Sequence, residues 1–202
     1  VQRTSHIPIG VIGNAIPLHG NPLRVAEEIA MLDVISGGRI ISGFVRGIGC
    51  EYFNNGVTPA DSVERFDEAH DLIIKAWTDD GPFTWQGDHF YVPNANIIPK
   101  PIQQPHPPIW IPGQGSLETL QFVARHHYTY MMVFSPLWFT KMAFDGLREE
   151  RARVQRNLQP ARHGHELDDA GGAQVTGAIR HCPEARTVEP DLHPVVGLTA
   201  MA

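Results

Sequence analysis

The fold is decided by one stretch, residues 10–52, which reads GVIGNAIPLHGNPLRVAEEIAMLDVISGGRIISGFVRGIGCEY. It alternates strand and helix patterns: an apolar run at 6–12, apolar residues at helical spacing from 23 to 35, and a second apolar run at 39–45. Apolar runs without polar alternation indicate strands that are covered on both faces, as in a parallel sheet. The stretch therefore predicts a parallel α/β protein.

The boundaries of the helix in this stretch carry their own signals. Asn21 is a good N-cap, and Pro22 suits the first helical position, where its missing N–H costs nothing. Gly37 and Gly38 end the helix, because glycine permits a positive φ. After the second strand, residues 46–49 (RGIG) form a glycine loop with a basic residue at the strand's carboxyl end, the rim where α/β barrels build their sites.

The sequence predicts further elements as far as residue 150. They are a loop at 53–59, a helix capped by Asp61, a hairpin at 83–92, a proline-rich connection at 93–108, a strand at 109–111, a helix capped by Ser116, a strand at 128–134 and a helix after Pro136. Strands and helices thus continue to alternate over this part of the chain.

Four short motifs in the opening stretch resemble the bacterial-luciferase-like flavin monooxygenases. They are NPLRVAEE at 21–28, LDVISGGR at 32–39, G-x-x-R-G at 43–47 and EY at 51–52. The resemblance implies a TIM (β/α)8 barrel that uses FMN or the deazaflavin F420. Because 202 residues fall short of the roughly 250 of such a barrel, we expect a partial barrel, from about the third strand to the helix after the sixth.

The chain is expected to divide into a barrel segment at 1–150 and an atypical tail at 151–202. All seventeen aromatic residues precede residue 145, and the tail has no sustained apolar period. Such a segment buries too little apolar surface to offset the entropy of ordering it. Two explanations stay open: a natural disordered tail, or a translated frameshift where the family continues with further barrel strands.

Composition narrows the class of protein. A net charge of −6 with three lysines gives no basic footprint, so nucleic acid is not an expected partner. No apolar run approaches the roughly 20 residues of a membrane span, and no leader pattern opens the chain, so we expect a cytoplasmic protein. The two cysteines, Cys50 and Cys182, have no metal-like spacing and are expected to be reduced thiols; no metal site is predicted.

Three places could bind a phosphate. Arg46 offers a fixed fork of donors at a strand end, Arg65 begins the next helix, and residues 114–116 (Gln114, Gly115 and Ser116) open a helix whose free amides favour an anion. The resemblance implies a flavin phosphate against matching positions, including Arg46 and the amides of this loop. The alternatives are a rim salt bridge for Arg46, a solvated charge for Arg65 and a simple cap for Ser116.

A flavin ring also needs a flat support. Asn14 and Ala15 close the first strand with small residues, which lets a ring approach the backbone. Relatives carry a bulge near this point that supports the ring, whereas the alternative is an ordinary strand-to-loop turn. No catalytic residue is assigned: the family's catalytic histidine lies upstream of this sequence, so His19 does not match it, and Cys50 inherits no role.

For the intact protein, the resemblance implies a flavin-dependent monooxygenase. Reduced FMN, supplied by a separate reductase, would activate oxygen for attack on a small organic substrate, and the enzyme would be a homo-oligomer. One alternative is an F420-dependent oxidoreductase of the same fold, which transfers hydride without oxygen. Another is an inactive barrel fragment that binds at most a phosphorylated ligand. The substrate is beyond this sequence, because substrate-reading side chains lie on variable rim loops.

Overall fold

The computed structural model describes Val1, residues 3–132 and residues 134–158. Its strands and helices follow one another as β1 (Ile9–Ala15), α1 (Leu23–Ser36), β2 (Ile40–Val45), α2 (Gly49–Asn55), α3 (Ser62–Thr78), β3 (Phe83–Gln86), β4 (Tyr91–Ala95), β5 (Ile109–Gly113), α4 (Leu117–His126), β6 (Thr129–Met132) and α5 (Leu137–Leu158). Short 3-10 turns lie at Ile16–Leu18 and Pro59–Asp61.

Four strands form one parallel sheet in the order β1-β2-β5-β6. Strands β3 and β4 form a separate antiparallel hairpin. The predicted α/β class with a parallel sheet is therefore confirmed. Because all four parallel strands point the same way, their carboxyl ends lie along one edge, as they do at the rim of a barrel.

Helix α1 ends where the sequence predicts and begins one residue later, at Leu23 with Pro22 as N-cap. The backbone N–H of Leu23 donates to Asn21 Oδ1 over 3.0 Å, directly before the first turn. Gly37 ends the helix in the left-handed region with φ of 70°, and its N–H bonds carbonyls of the last turn.

The core lies between the sheet and helices α1 and α3. Phe44 of β2 is fully buried and stacks on Trp77 of α3, with ring centroids 6.0 Å apart. The Trp77 indole N–H donates to the Ala26 carbonyl of α1 over 3.0 Å. The apolar stripe of α3 is buried throughout: Phe66, Ala69, Ile73, Ala76 and Trp77.

The structure differs from the predictions at the start of β1, at α2 and in the capping bond of Asp61. Strand β1 runs from Ile9, because pairing with β2 starts there, and not over 6–12. Helix α2 occupies part of the predicted loop; its one glycine and two asparagines favour a loop by propensity, but Glu51 Oε2 accepts the Ile48 N–H over 2.8 Å and holds the first turn. The side chain of Asp61 makes no capping bond, because Asp61 itself closes a 3-10 turn.

The final helix is longer than the sequence indicated. Helix α5 continues to Leu158, so residues 151–158, expected in the tail, are helical. Leu147 is buried against α4, and Arg151 Nη2 donates to the Tyr128 carbonyl over 3.0 Å, which ties this turn to the core. The rest of the expected tail, with Cys182, lies outside the described residues. No helix within the described ranges is long and apolar enough to cross a membrane.

Candidate functional site

The site is centred on Arg46, the first residue after β2. Its Nη2 donates to Ser116 Oγ over 2.8 Å and lies 3.4 Å from Thr119 Oγ1. The two hydroxyls are themselves 2.9 Å apart. Ser116 and Thr119 follow Arg46 by 70 and 73 positions in the sequence. They meet it because β2 and β5 are neighbours in the sheet.

Part of the Arg46 guanidinium forms no hydrogen bond within the described part of the chain. Within the described part of the chain, its Nε and Nη1 have no hydrogen-bond acceptor, and no carboxylate forms an ion pair with it within 4.0 Å. The rim salt bridge considered for this residue is therefore absent from that part. The Tyr52 hydroxyl donates to the Arg46 carbonyl over 2.6 Å and fixes the backbone at this point.

A glycine directly after Arg46 is required by the packing. Gly47 has φ of 97°, a conformation that other residues rarely adopt. A Cβ at this position would lie 2.8 Å from Leu18 Cδ1. The loop therefore turns tightly while the arginine side chain stays at the sheet edge.

A cavity of about 480 Å³ opens beside Arg46, between α3 and α4 at the carboxyl ends of β2 and β5. Its lining contains buried aromatic rings as well as polar and charged groups. It is formed by Phe44, Val45, Arg46, Gly47, Ile48, Glu51, Val63, Phe66, Asp67, Ile111, Pro112, Gly113, Gln114, Ser116, Glu118, Thr119 and Phe122.

The amino end of α4 forms one wall of this cavity. Ser116 occupies the N-cap position, but its side chain makes no capping bond and is engaged by Arg46 instead. The predicted N-cap position of Ser116 is therefore confirmed, whereas the side-chain capping bond is absent. Among the described residues no side chain caps the first amides of α4, so the positive end of the helix lies uncapped beside the cavity.

The neighbours of Ser116 are placed differently from one another. Gln114 lines the cavity and is exposed. Gly115 has φ of 82°, and a Cβ there would lie 3.1 Å from Ala143 Cβ on α5. Gly115 thus permits the close approach of α5 to the loop, whereas the exposed side chain of Gln114 lies at the cavity.

Arg65 does not join this group. Its Nε donates to the Pro17 carbonyl over 3.0 Å, and its guanidinium lies 4.7 Å from the centre of the Phe90 ring. It is absent from the cavity lining. The structure therefore uses Arg65 to connect α3 with the turn after β1.

Asn14 and Ala15 lie on the neighbouring strand at the same edge. The β1–β2 register shifts between Val11 and Asn14, at the position where the resemblance implies a bulge; Asn14 then pairs with Phe44 and Ala15 with Val45. The Asn14 Nδ2 atom is buried without a hydrogen-bond partner among the described residues. Neither residue lines the cavity at Arg46.

Three carboxylates that the sequence analysis missed also face the cavity: Glu51, Asp67 and Glu118. Burial raises the pKa of the Asp67 carboxyl, and the positive charges of Arg125 and Arg46 act against this rise. Glu51 belongs to the EY motif at 51–52, but no motif marks Asp67 or Glu118, and the three residues come from three different helices.

A second group of residues, polar and aromatic, is packed around His70 between α3 and α4. We call it the histidine cluster: His70 of α3 with Phe122, His126 and Tyr128. The His70 ring is 2% exposed; its Nδ1 is 2.9 Å from Asp71 Oδ1 and its Nε2 is 2.8 Å from the Tyr128 hydroxyl.

Ionisation in the histidine cluster is strongly perturbed. Burial lowers the pKa of His126 to about 4, and the nearby His70 and Arg125 act in the same direction. The hydrogen bond from His70 lowers the pKa of Asp71, and burial raises the pKa of Tyr128. Within the described residues, no group of three or more His, Cys, Asp or Glu could hold a metal ion.

Comparison with known proteins places this geometry in context. A family model described as luciferase-like monooxygenase matches residues 1–167. An uncharacterized protein of Sinorhizobium fredii, y4wF, is 40% identical over 113 residues, which are 54% of this chain and 32% of that protein.

Two further relatives carry functional names. The oxygenase component of a flavin-dependent trigonelline monooxygenase from Acinetobacter baylyi is 31% identical over 54% of this chain and 31% of its own length. An FMNH2-dependent dimethylsulfone monooxygenase from Pseudomonas putida is 32% identical over 52% of this chain and 30% of its own length. The chain thus spans about a third of the length of these relatives.

Solved structures share the fold. The monooxygenase RslO1 from Streptomyces bottropensis has a TM-score of 0.66 at 24% identity, over 79% of this chain and 48% of its own. An FMN complex of the oxygenating constituent of 3,6-diketocamphane monooxygenase from Pseudomonas putida has a TM-score of 0.66 at 18% identity, over 83% and 47%. An F420-dependent secondary alcohol dehydrogenase has a TM-score of 0.53 at 24% identity, over 64% and 41%.

Proposed function

Since the chain belongs to the luciferase-like monooxygenase family, we propose that the intact protein is a flavin-dependent monooxygenase that acts on a small organic substrate. The flavin-dependent activities in the names of two relatives at 31% and 32% identity support this proposal. Bound reduced FMN would supply the oxygen-activating chemistry. The residues of this chain would bind the cofactor, orient it and keep water from it.

One observation carries the proposal: the contact of Arg46 with Ser116 at the uncapped start of α4, beside an open cavity. A phosphate needs several donors converging on one point. The free Nε and Nη1 of Arg46, the hydroxyls of Ser116 and Thr119 and the first amides of α4 meet that need. We therefore assign the FMN phosphate to these groups, with Gln114 and Gly115 in the adjoining loop.

The ring of the flavin would lie toward β1. The unpartnered Nδ2 of Asn14 is a donor that a ring carbonyl could satisfy, and the bulge at Asn14 and Ala15 changes the course of the strand there. Arg65 stands outside this proposed site, because its guanidinium is engaged by Pro17 and Phe90.

Two alternatives would use the same phosphate site. An F420-dependent oxidoreductase needs the same anion contacts, and one structural neighbour with this fold is F420-dependent. The chain could also act only as a barrel segment that binds a phosphorylated ligand without catalysis. We further propose a separate flavin reductase as partner, which the relative named as an oxygenase component supports. We also propose that the intact enzyme is homo-oligomeric and cytoplasmic.

Fluorescence titration of the chain with FMN, riboflavin, F420 and NADH tests this proposal. We expect FMN to bind more tightly than riboflavin, and NADH not to bind, because the phosphate site fits one terminal phosphate next to a flavin ring. Tight binding of F420 without binding of FMN would favour the F420 alternative. Absence of binding by both FMN and F420 would contradict the cofactor site.

A further inference from the structure

The proposed phosphate cavity contains more negative than positive side chains. Among the described residues that line it, Arg46 is the one cation, whereas Glu51, Asp67 and Glu118 are carboxylates. A phosphomonoester brings up to two further negative charges. A bound phosphate would therefore be repelled by the carboxylates that line the same cavity.

The three carboxylates differ in how freely they can respond. Glu51 accepts the backbone N–H of Ile48 and is held by that contact. Glu118 is exposed, so solvent screens its charge. Asp67 lies half-buried in the wall formed by α3, and no hydrogen bond or ion pair within the described part of the chain holds its carboxylate.

Charged groups surround Asp67 on several elements. Arg46 follows β2, Arg125 lies on α4, and His70 and Asp71 follow on α3 itself. Glu51 and Glu118 share the cavity from α2 and α4. Asp67 already interacts electrostatically with Arg46, the residue proposed to bind the anion.

We propose that Asp67 couples anion binding to protonation: when a phosphate occupies the cavity at Arg46, the Asp67 carboxylate takes up one proton from solvent. This inference rests on the proposed function of the cavity. A phosphate at Arg46 offsets the positive charge that favours ionised Asp67 and adds negative charge nearby. The proton removes a like charge from the cavity wall, and no other bond is made or broken.

The burial of Asp67 supports this coupling, because it already raises the pKa of the carboxyl in the free protein. An anion nearby shifts the pKa further in the same direction. By linkage, the affinity for the phosphate then rises as the pH falls through the range in which Asp67 becomes protonated. Asp67 would thereby act as a specificity residue for the charge state of the ligand.

Calorimetry of FMN binding in two buffers with different ionisation enthalpies measures the protons taken up per bound ligand. At about pH 6, near the second pKa of a phosphomonoester, we expect greater uptake by the wild-type chain than by Asp67→Asn. Riboflavin, which lacks the phosphate, should show little uptake with either protein. Because the phosphate of FMN also exchanges protons near this pH, the difference between the two proteins is what reports on Asp67, and Asp67→Ser replaces Asp67→Asn if that variant fails to fold.

The FMN affinity of the Asp67→Asn variant gives a second test. At about pH 8, Asp67→Asn should bind FMN roughly five- to tenfold more tightly than wild type, the scale expected from removing one like charge near a partly exposed site. Glu118→Gln is the matched control, since it removes an exposed charge from the same cavity and should change affinity less than twofold.

The outcomes separate this inference from the cofactor assignment. If FMN binds more tightly than riboflavin but proton uptake is equal in wild type and Asp67→Asn, the cavity binds phosphate and the coupling is wrong. If FMN and riboflavin bind equally, the phosphate site itself is wrong. An unchanged FMN affinity of Asp67→Asn at about pH 8 would also overturn the coupling.

Discussion

The same two helices, α3 and α4, enclose two regions of opposite character. In the cavity at Arg46, the Nε and Nη1 donors of the guanidinium have no partner among the described residues, the helix start is uncapped and space is open. In the histidine cluster, each ring nitrogen of His70 has a partner and aromatic rings fill the space. Polar groups with spare capacity indicate a ligand, whereas satisfied polar groups stabilise the fold.

The largest expected effect concerns Phe122, which belongs to both regions. It is 5% exposed, packs against Phe66 at 5.1 Å and contacts His70 at 5.0 Å between ring centroids. Phe122→Ala should lower the free energy of unfolding by about 3–5 kcal/mol, because the cavity left behind cannot collapse fully. Denaturant unfolding measures it, with exposed Phe53→Ala as a control expected to stay within about 0.5 kcal/mol.

A loss below about 1 kcal/mol for Phe122→Ala would mean that the two regions do not share a rigid wall.

A smaller effect is expected in the histidine cluster alone. Tyr128→Phe removes the hydroxyl that bonds His70 Nε2 and leaves a buried ring nitrogen without its partner. The free energy of unfolding should fall by about 1–3 kcal/mol, while FMN affinity stays within about twofold of wild type, since Tyr128 does not line the cavity. The control is Tyr91→Phe, at a tyrosine that is 67% exposed. A large loss of FMN affinity would contradict the separation of the two regions.

The pH dependence of stability gives the smallest effect. The pKa of His126 falls from its usual 6.5 to about 4 in the folded protein. Between these values the unfolded chain binds a proton that the folded one does not, so stability should fall as the pH drops from about 6.5 to about 4. The slope should stay below the one-proton limit of about 1.4 kcal/mol per pH unit, because His126 is only half-buried.

Two carboxyl groups, Asp71 and Asp67, also affect how stability depends on pH near this range. The lowered pKa of Asp71 acts only below its usual 3.8, whereas the raised pKa of Asp67 opposes the effect in part. Thermal unfolding across the window should show a flatter profile for His126→Gln, and an unchanged one for His127→Asn at the exposed neighbour. Equal slopes in wild type and His126→Gln would show that burial of this ring is not linked to pH.

Local signals in the sequence were enough to predict the strands and the helix at the centre of the fold. Asn21, Pro22 and Gly37 mark α1 by their own conformational preferences, and apolar runs mark β2 and β5. Arg46 and Ser116 could be paired as candidates only through the family resemblance, and the structure brings them together.

The features that sequence reasoning missed depend on tertiary contacts. Arg65 has the chemistry for a phosphate, but the carbonyl of Pro17 binds its Nε. Thr119 and Asp67 belong to ordinary helical faces, and only the packing of α3 against α4 places them at one cavity. Helix α2 was missed because Glu51 stabilises its start against the weak propensities of the residues around it.

The most direct test of the phosphate site measures FMN and riboflavin binding by wild type, Arg46→Ala and Arg46→Lys. Loss of a charge-assisted hydrogen bond of about 1.5–3 kcal/mol should weaken FMN on the order of ten- to a hundredfold in Arg46→Ala. Riboflavin should be unaffected, and Arg46→Lys should be intermediate, since it keeps the charge without the fork. Arg65→Ala, which removes an arginine outside the cavity, is the matched control. Equal weakening of FMN and riboflavin, or of neither, would contradict the assignment of Arg46 to the phosphate.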